Sequence, residues 1–214
     1  KDIIARCIKY AKPVVVATQM MESMIENANP TRAEITDVAN AVIDGADAVM
    51  LSAETSTGKH PVKVIQVMEK ILTNIEHANL IYDKELRAEK SSETFISDAI
   101  CYNAARIASE LDAKALIAMT FSGYTAFTLS SYRPKADIYI FTENVDLLNS
   151  LSLCWGVRAF YYDKFVGTDT SIRDVIRILK ENNLLKKSDI VVNVGSMPLA
   201  SKGKANMVKV TMVA

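Results

Sequence analysis

The sequence predicts an α/β protein in two parts: a partial parallel (β/α) barrel over residues 1–80, then an open, mostly parallel five-stranded α/β sandwich over residues 81–214. Three observations predict it. Two apolar runs, "PVVVATQ" and "ADAVMLSAET", each precede a helical stripe and each end in polar side chains. The stretch from Asn79 to Thr94, "NLIYDKELRAEKSSET", is charged and poor in apolar residues, which marks a boundary. Beyond it, short apolar runs again alternate with helical patterns, the signature of strands joined by crossover helices.

Lys1-Asp2-Ile3-Ile4 leads directly into a helical pattern through Ile4, Cys7, Ile8 and Ala11 without an initiator Met, so the chain is expected to begin inside an element of a longer protein. Three consecutive valines after Pro13 predict a buried parallel strand over Val14–Ala17, ending at Thr18 and Gln19. Pro30-Thr31-x-x-Glu34 is a capping box, with Ile35, Val38, Ala39, Val42 and Ile43 as the stripe behind it and Asp44-Gly45 as the stop. "ADAVMLSAET" reads as the second strand, ending in Ser52, Glu54 and Thr55. Pro61 opens a helix with the stripe Ile65, Met68, Leu72 and Ile75. A TIM-type barrel needs eight strands and about 250 residues, so these two units amount to its last quarter.

In the second part, Ile96, Ile100, Ala104, Ile107 and Leu111 line one helix face. "ALIAMT", "DIYIFT", "VRAFYY", "DIVVNVG" and "MVKVTMV" are the strands. Between them lie a short helix stopped by Pro134, a helix over "NVDLLNSLSLCW", and one over "IRDVIRILKENNLL" with Lys186 and Lys187 suited to its carboxyl end. The last strand alternates, with Val208, Val210 and Met212 on one side, which makes it an edge strand.

The chain carries 25 basic and 25 acidic side chains and is half apolar. A balanced charge removes the long-range attraction that nucleic acid or an anionic membrane would need, and neither is expected as a partner. No run approaches the roughly 18 apolar residues of a membrane span, and no signal-peptide layout opens the chain. Cys7, Cys101 and Cys154 are odd in number and form no CxxC, which excludes a disulfide framework and a zinc site; each is expected to be a small buried hydrophobe. Together these features lead to the expectation of a cytoplasmic protein. His60 and His77 have no partner motif, and no GxGxxG, GxxxxGK[ST] or HExxH occurs.

Two constellations remain. Strand ends in parallel sheets and barrels face ligands, so Thr18, with Ser52 and Glu54 on the neighbouring strand, makes a candidate rim that donates to an anionic oxygen or passes a proton through water; a plain capping hydroxyl is the alternative. In "TFSGYTA", Thr120 ends a strand, Ser122-Gly123 turns and Tyr124-Thr125 opens a helix. Hydroxyls and free N–H groups at a helix N-terminus suit a phosphate, and a simple capped turn is the alternative. "SKGKANM" adds Lys202, Gly203 and Lys204, as effector-loop cations or as solvated lysines.

The first eighty residues closely resemble the last two strands of the pyruvate kinase barrel, through ATQM-x-ESM, PTRAE, DVANAV-x-DGAD and MLS-x-ET-x-x-G-x-xP. The remainder resembles the C-terminal domain of that family more loosely, in T-x-SG-x-[ST]A, the following "YRP" and the closing "N-x-x-x-V". The resemblance implies phosphoryl transfer from phosphoenolpyruvate to ADP, giving pyruvate and ATP, with Mg²⁺ and K⁺. It implies that Thr18 binds phosphoenolpyruvate and shares with Ser52 the water network that protonates the enolate. It implies a homotetramer, with Arg32 of PTRAE at a subunit contact, unless Arg32 is an ordinary first-turn charge. It also implies that Thr120, Ser122, Gly123 and Thr125 grip the phosphate of an allosteric effector. Phe121 and Tyr124 stand where some regulated members have Lys or Arg, which weakens a bisphosphate reading because charge-assisted bonds are about twice as strong as neutral ones.

The family's catalytic Lys and its Mg²⁺ and K⁺ ligands belong to segments that would precede Lys1, so no metal site is expected in these 214 residues and the polypeptide alone is expected to be inactive. Two other readings stand beside this one: a stand-alone module that binds a phosphate effector without catalysis, and an interaction role in which exposed barrel faces join other copies.

Overall fold

The computed structural model describes residues 1–17, 19–82, 88–164, 167–198 and 203–214, and the chain divides into two units, Lys1–Tyr82 and Asp83–Ala214.

In the first unit, helix α1 (Asp2–Lys9) buries Ile4 and Ile8. Strands β1 (Val15–Val16) and β2 (Ala48–Val49) pair in parallel, Val15 opposite Ala48 and Val16 opposite Val49. Helix α2 (Arg32–Asp44) starts with the expected capping box between Thr31 and Glu34. It ends at Gly45 in the left-handed region, φ 106°, where an added Cβ would lie 2.4 Å from Ile8 Cδ1. A short helix α3 (Ala53–Ser56) precedes α4 (Pro61–His77), and Met21, Met24, Val38, Val64, Met68 and Ile71 form the core between them.

Four expectations change here. The first strand is shorter than Val14–Ala17 and not buried, Val15 being 42% exposed. The second stops at Val49, and Ala53–Ser56 is helical, because the Glu54 carboxylate folds back to accept the Ser52 N–H at 2.7 Å and offers that backbone an alternative to a ladder. The stripe of α4 runs through Val64, Met68 and Ile71, leaving Ile65 52% exposed, and on α2 Ile35 likewise turns outward.

The second unit is built on a five-stranded sheet in the order β5-β4-β3-β6-β7. Its strands are β3 (Ala115–Met119), β4 (Asp137–Thr142), β5 (Val157–Tyr161), β6 (Ile190–Gly195) and β7 (Met207–Met212). The first four are parallel, and β7 runs antiparallel on β6 as the expected edge strand. Side-chain alternation divides the sheet between two cores. Leu116, Ala118, Ile138, Ile140, Val192 and Val194 face one, with α5 (Phe95–Glu110), α6 (Tyr124–Ser131) and α7 (Val145–Leu151). Ala115, Ile117, Tyr139, Phe141 and Val191 face the other, with α8 (Thr168–Glu181).

Helix α6 ends where Arg133, at φ 50°, precedes Pro134. Arg133 is buried, its guanidinium donating to the Ser130 carbonyl at 2.9 Å and lying 5.2 Å from the Trp155 ring centroid. The face of α5 differs from the expected stripe: Ser97, Cys101, Ala104, Ala105 and Ala108 point inward and Ile96 is 68% exposed. Cys101 and Cys154 are buried as expected, whereas Cys7 is half-buried.

Candidate functional site

Strand β3 sits at the point where the chain changes direction across the sheet. From β3 it proceeds to β4 and β5 on one side; after α8 it returns to β6 on the other side of β3 and continues to β7. Connections leaving the carboxyl ends of β3 and β6 therefore diverge, and open α/β sheets bind ligands in the crevice between such loops. A cavity of about 110 Å³ lies there, lined by Thr120, Phe121, Ser122, Tyr124 and Thr125 after β3 and by Ser196, Gly203, Lys204 and Ala205 after β6. The sequence pointed to the first loop and to Gly203 and Lys204. It gave no signal for Ser196 or Ala205, which only strand order brings into place.

Local chemistry shapes the first loop. Thr120 Oγ1 accepts the Gly123 N–H at 3.1 Å, and Ser122 Oγ accepts the Tyr124 N–H at 3.4 Å. Gly123 adopts φ 82°, and a Cβ there would stand 2.6 Å from Leu147 Cδ1 and 2.9 Å from Phe127 Cε2, so only glycine fits the turn that aims the start of α6 at the cavity. The Thr120 and Thr125 side chains are buried and that of Ser122 is exposed. Lys204 Nζ donates to the Glu93 carbonyl at 3.1 Å. The Tyr124 hydroxyl donates to Asp98 Oδ1, and the other carboxylate oxygen accepts from Thr94 at 2.8 Å. Burial, and then the Asp98 carboxylate, push the Tyr124 phenol above its ordinary value, so it remains a donor at neutral pH. Among the described residues the pocket offers hydroxyls, a helix N-terminus and the Lys204 ammonium to a small anion, and no nucleophile–base pair. Lys202 lies outside the described residues.

In the first unit the parallel pairing brings the exits of β1 and β2 to one edge. Thr18 lies outside the described residues. Ser52 is exposed and precedes α3, and its N–H is fixed by the buried Glu54 carboxylate, whose other oxygen accepts the Met21 N–H at 3.4 Å. Glu54 thereby ties the segment after β1 to the one after β2. Arg32 is exposed at the first position of α2. Among the described residues no group of three or more His, Cys, Asp or Glu could hold a metal ion, and no helix is long and apolar enough to cross a membrane.

Residues 98–211 match the family described as pyruvate kinase, alpha/beta domain, and residues 1–65 match pyruvate kinase, barrel domain. A pyruvate kinase of Clostridium acetobutylicum is 40% identical over 214 residues, covering 100% of this chain and 45% of its own length. One from Mycobacterium tuberculosis is 41% identical over 210 residues, covering 98% and 44%. The crystal structure of a pyruvate kinase from Cryptosporidium parvum superposes with a TM-score of 0.84 at 32% identity, over 100% of this chain and 42% of that one. The chain spans less than half the length of these relatives.

Proposed function

The chain belongs to the pyruvate kinase family, and we propose that it contributes the last barrel strands and the α/β domain of an enzyme that moves the phosphoryl group of phosphoenolpyruvate to ADP, giving pyruvate and ATP. The observation that carries this reading is the family match along both units, joined to the paired strand exits where Ser52 stands. In this proposal Thr18 contacts phosphoenolpyruvate, and with Ser52 it holds the water that protonates the enolate. Glu54 is a positioning residue, because it fixes the backbone beside Ser52 and at Met21.

Mg²⁺ and K⁺ belong with such a reaction, where they neutralise charge on the transferring phosphoryl group. Among the described residues no group of three or more His, Cys, Asp or Glu could hold such an ion. The 214-residue polypeptide by itself is expected to release no pyruvate from phosphoenolpyruvate and ADP in a dehydrogenase-coupled assay. The same polypeptide within a completed barrel is expected to do so, and Thr18→Ala there is expected to lower kcat roughly 100-fold or more. A completed barrel without turnover would overturn the catalytic reading.

In the second unit the Thr120–Thr125 loop, with Gly203 and Lys204, takes the phosphate of an allosteric effector. The position of the cavity at the sheet's switch point supports this, and so does its volume of about 110 Å³, suited to a single phosphate group. If phosphate binding persists while no completed barrel turns over, the chain is an effector-binding module. The enzyme is assigned to the glycolytic cytoplasm as a homotetramer, with Arg32 at a subunit contact; Arg32→Glu is expected to shift sedimentation of the completed enzyme toward smaller species.

A further inference from the structure

The opposite end of the same sheet carries a second polar groove that the proposed reaction and effector pocket leave unused. It has a volume of about 600 Å³ and runs along the amino ends of the strands on the face covered by α8. Lys114 enters it just before β3, Asp137 and Tyr139 from β4, Arg158 from β5, and Lys186 and Asp189 from the turn between α8 and β6. Topology, rather than sequence proximity, gathers these groups at one edge.

The charges are unevenly satisfied. Asp137 is occupied twice, accepting from Lys114 Nζ at 2.6 Å and from the Tyr139 hydroxyl at 3.1 Å. Asp189 is also engaged, since its Oδ2 accepts the Lys186 N–H at 2.7 Å. The cations are not matched in the same way. The Arg158 guanidinium lies 5.5 Å from the Phe160 ring centroid, a contact that leaves its N–H fork open, and Lys186 presents an exposed ammonium. Neither has a carboxylate partner among the described residues. Lys114 neutralises Asp137, whereas Asp189 keeps its charge on a backbone N–H, so Arg158 and Lys186 against Asp189 leave the groove one positive charge in excess, delivered from different elements.

We propose that this groove binds a small organic anion bearing two or more acidic groups, carboxylate or phosphate, with Arg158 holding one group through its planar fork and Lys186 the other. The volume falls within the roughly 300–1,000 Å³ of small-molecule sites, several times the space of the pocket at the other end. A single inorganic ion would leave most of it empty. Tyr139 forms the buried floor: desolvation, and then the Asp137 charge, push its phenol up to about 12, so it keeps its proton and its bond to Asp137 while the ligand engages the cations.

The test is isothermal titration of the 214-residue chain at constant ionic strength with citrate, with pyrophosphate, and with matched sodium chloride. The expected result is saturable binding of citrate, pyrophosphate or both, with a component that survives Gly123→Ala, the change that closes the phosphate pocket at the other end, and that is weakened at least ~10-fold in Arg158→Gln/Lys186→Gln. Citrate alone would assign the groove to carboxylates, pyrophosphate alone to phosphates, and both to charge with no preference between them. Both side chains are exposed, so the double variant is expected to unfold within a few degrees of the parent, which separates lost binding from lost folding. No saturable binding of either probe, or binding abolished by Gly123→Ala and unaffected by the double variant, would overturn the proposal.

Discussion

Four donors converge on the carboxylate of Glu34: the N–H and hydroxyl of Ser23, at 2.6 and 2.5 Å, and the N–H and hydroxyl of Thr31, at 2.7 and 2.9 Å. A capping box needs only the Thr31 contact; the Ser23 bonds fasten the turn after β1 to the start of α2. Burial raises the affinity of this carboxyl for a proton, but the Ser23 and Thr31 donors outweigh it and hold the group below its ordinary value of 4.5. As the pH falls, the unfolded chain is therefore protonated at this position before the folded one. The stabilisation is complete above pH 4.5 and is lost as the pH drops through the depressed folded value. Glu34→Gln keeps the shape but turns an amide toward the donors, and is expected to cost about 1–2 kcal/mol at pH 7. Its melting temperature should also depend less on pH below 4.5 than the parent's; parallel slopes would show that Glu34 is not the titrating group. Glu54→Gln removes one of two acceptors and leaves the half-buried Ser52 N–H or the buried Met21 N–H without its partner, at a cost of about 1–3 kcal/mol by denaturant titration.

Among the elements, those with end signals were legible in the sequence and those defined only by a face were not. The Thr31–Glu34 box, Gly45, Pro61 and Pro134 each act on one or two backbone groups, so reading them needs no tertiary information. Helix faces are another matter. Helix α4 has apolar residues at both Val64 and Ile65, and α5 at both Ile100 and Cys101, so periodicity permits two stripes about one residue apart and the neighbouring layer selects between them. Small residues were selected on α5, where Ala104, Ala105 and Ala108 allow the helix to lie close to the sheet. The phosphate loop was legible for the same reason as the caps, since Thr120, Ser122 and Gly123 form a local turn. Its Asp98–Tyr124 bond spans 26 positions and left no local trace. The loop yields a prediction at this scale: Gly123→Ala must place a side chain at φ 82° and against Leu147. It is expected to cost about 1–3 kcal/mol and to abolish inorganic phosphate binding measured by calorimetry, and undiminished binding would show that the turn does not shape the pocket.

The two units differ in how much structure each supports. Among the described residues the first has a small core of methionines, valines and an isoleucine beneath a pair of two-residue strands, with Val15 and Met50 still more than 40% exposed. The second has a separate core on each face of a five-stranded sheet, and eight of the residues in them, including Phe141, Leu116 and Leu179, are large side chains almost wholly removed from water. Apolar burial is the main favourable term in folding, so the second unit should be the more stable. Unfolding in urea is then expected to show two transitions, a lower one for residues 1–82 and a higher one for residues 83–214. Each variant argued above belongs to one unit: Glu34→Gln should move only the lower midpoint and Gly123→Ala only the higher. Limited proteolysis at intermediate urea should leave a resistant fragment containing residues 95–214. If instead one transition responds to both variants, the units unfold together, and the stability of the sheet is communicated to the barrel strands rather than confined to its own two cores.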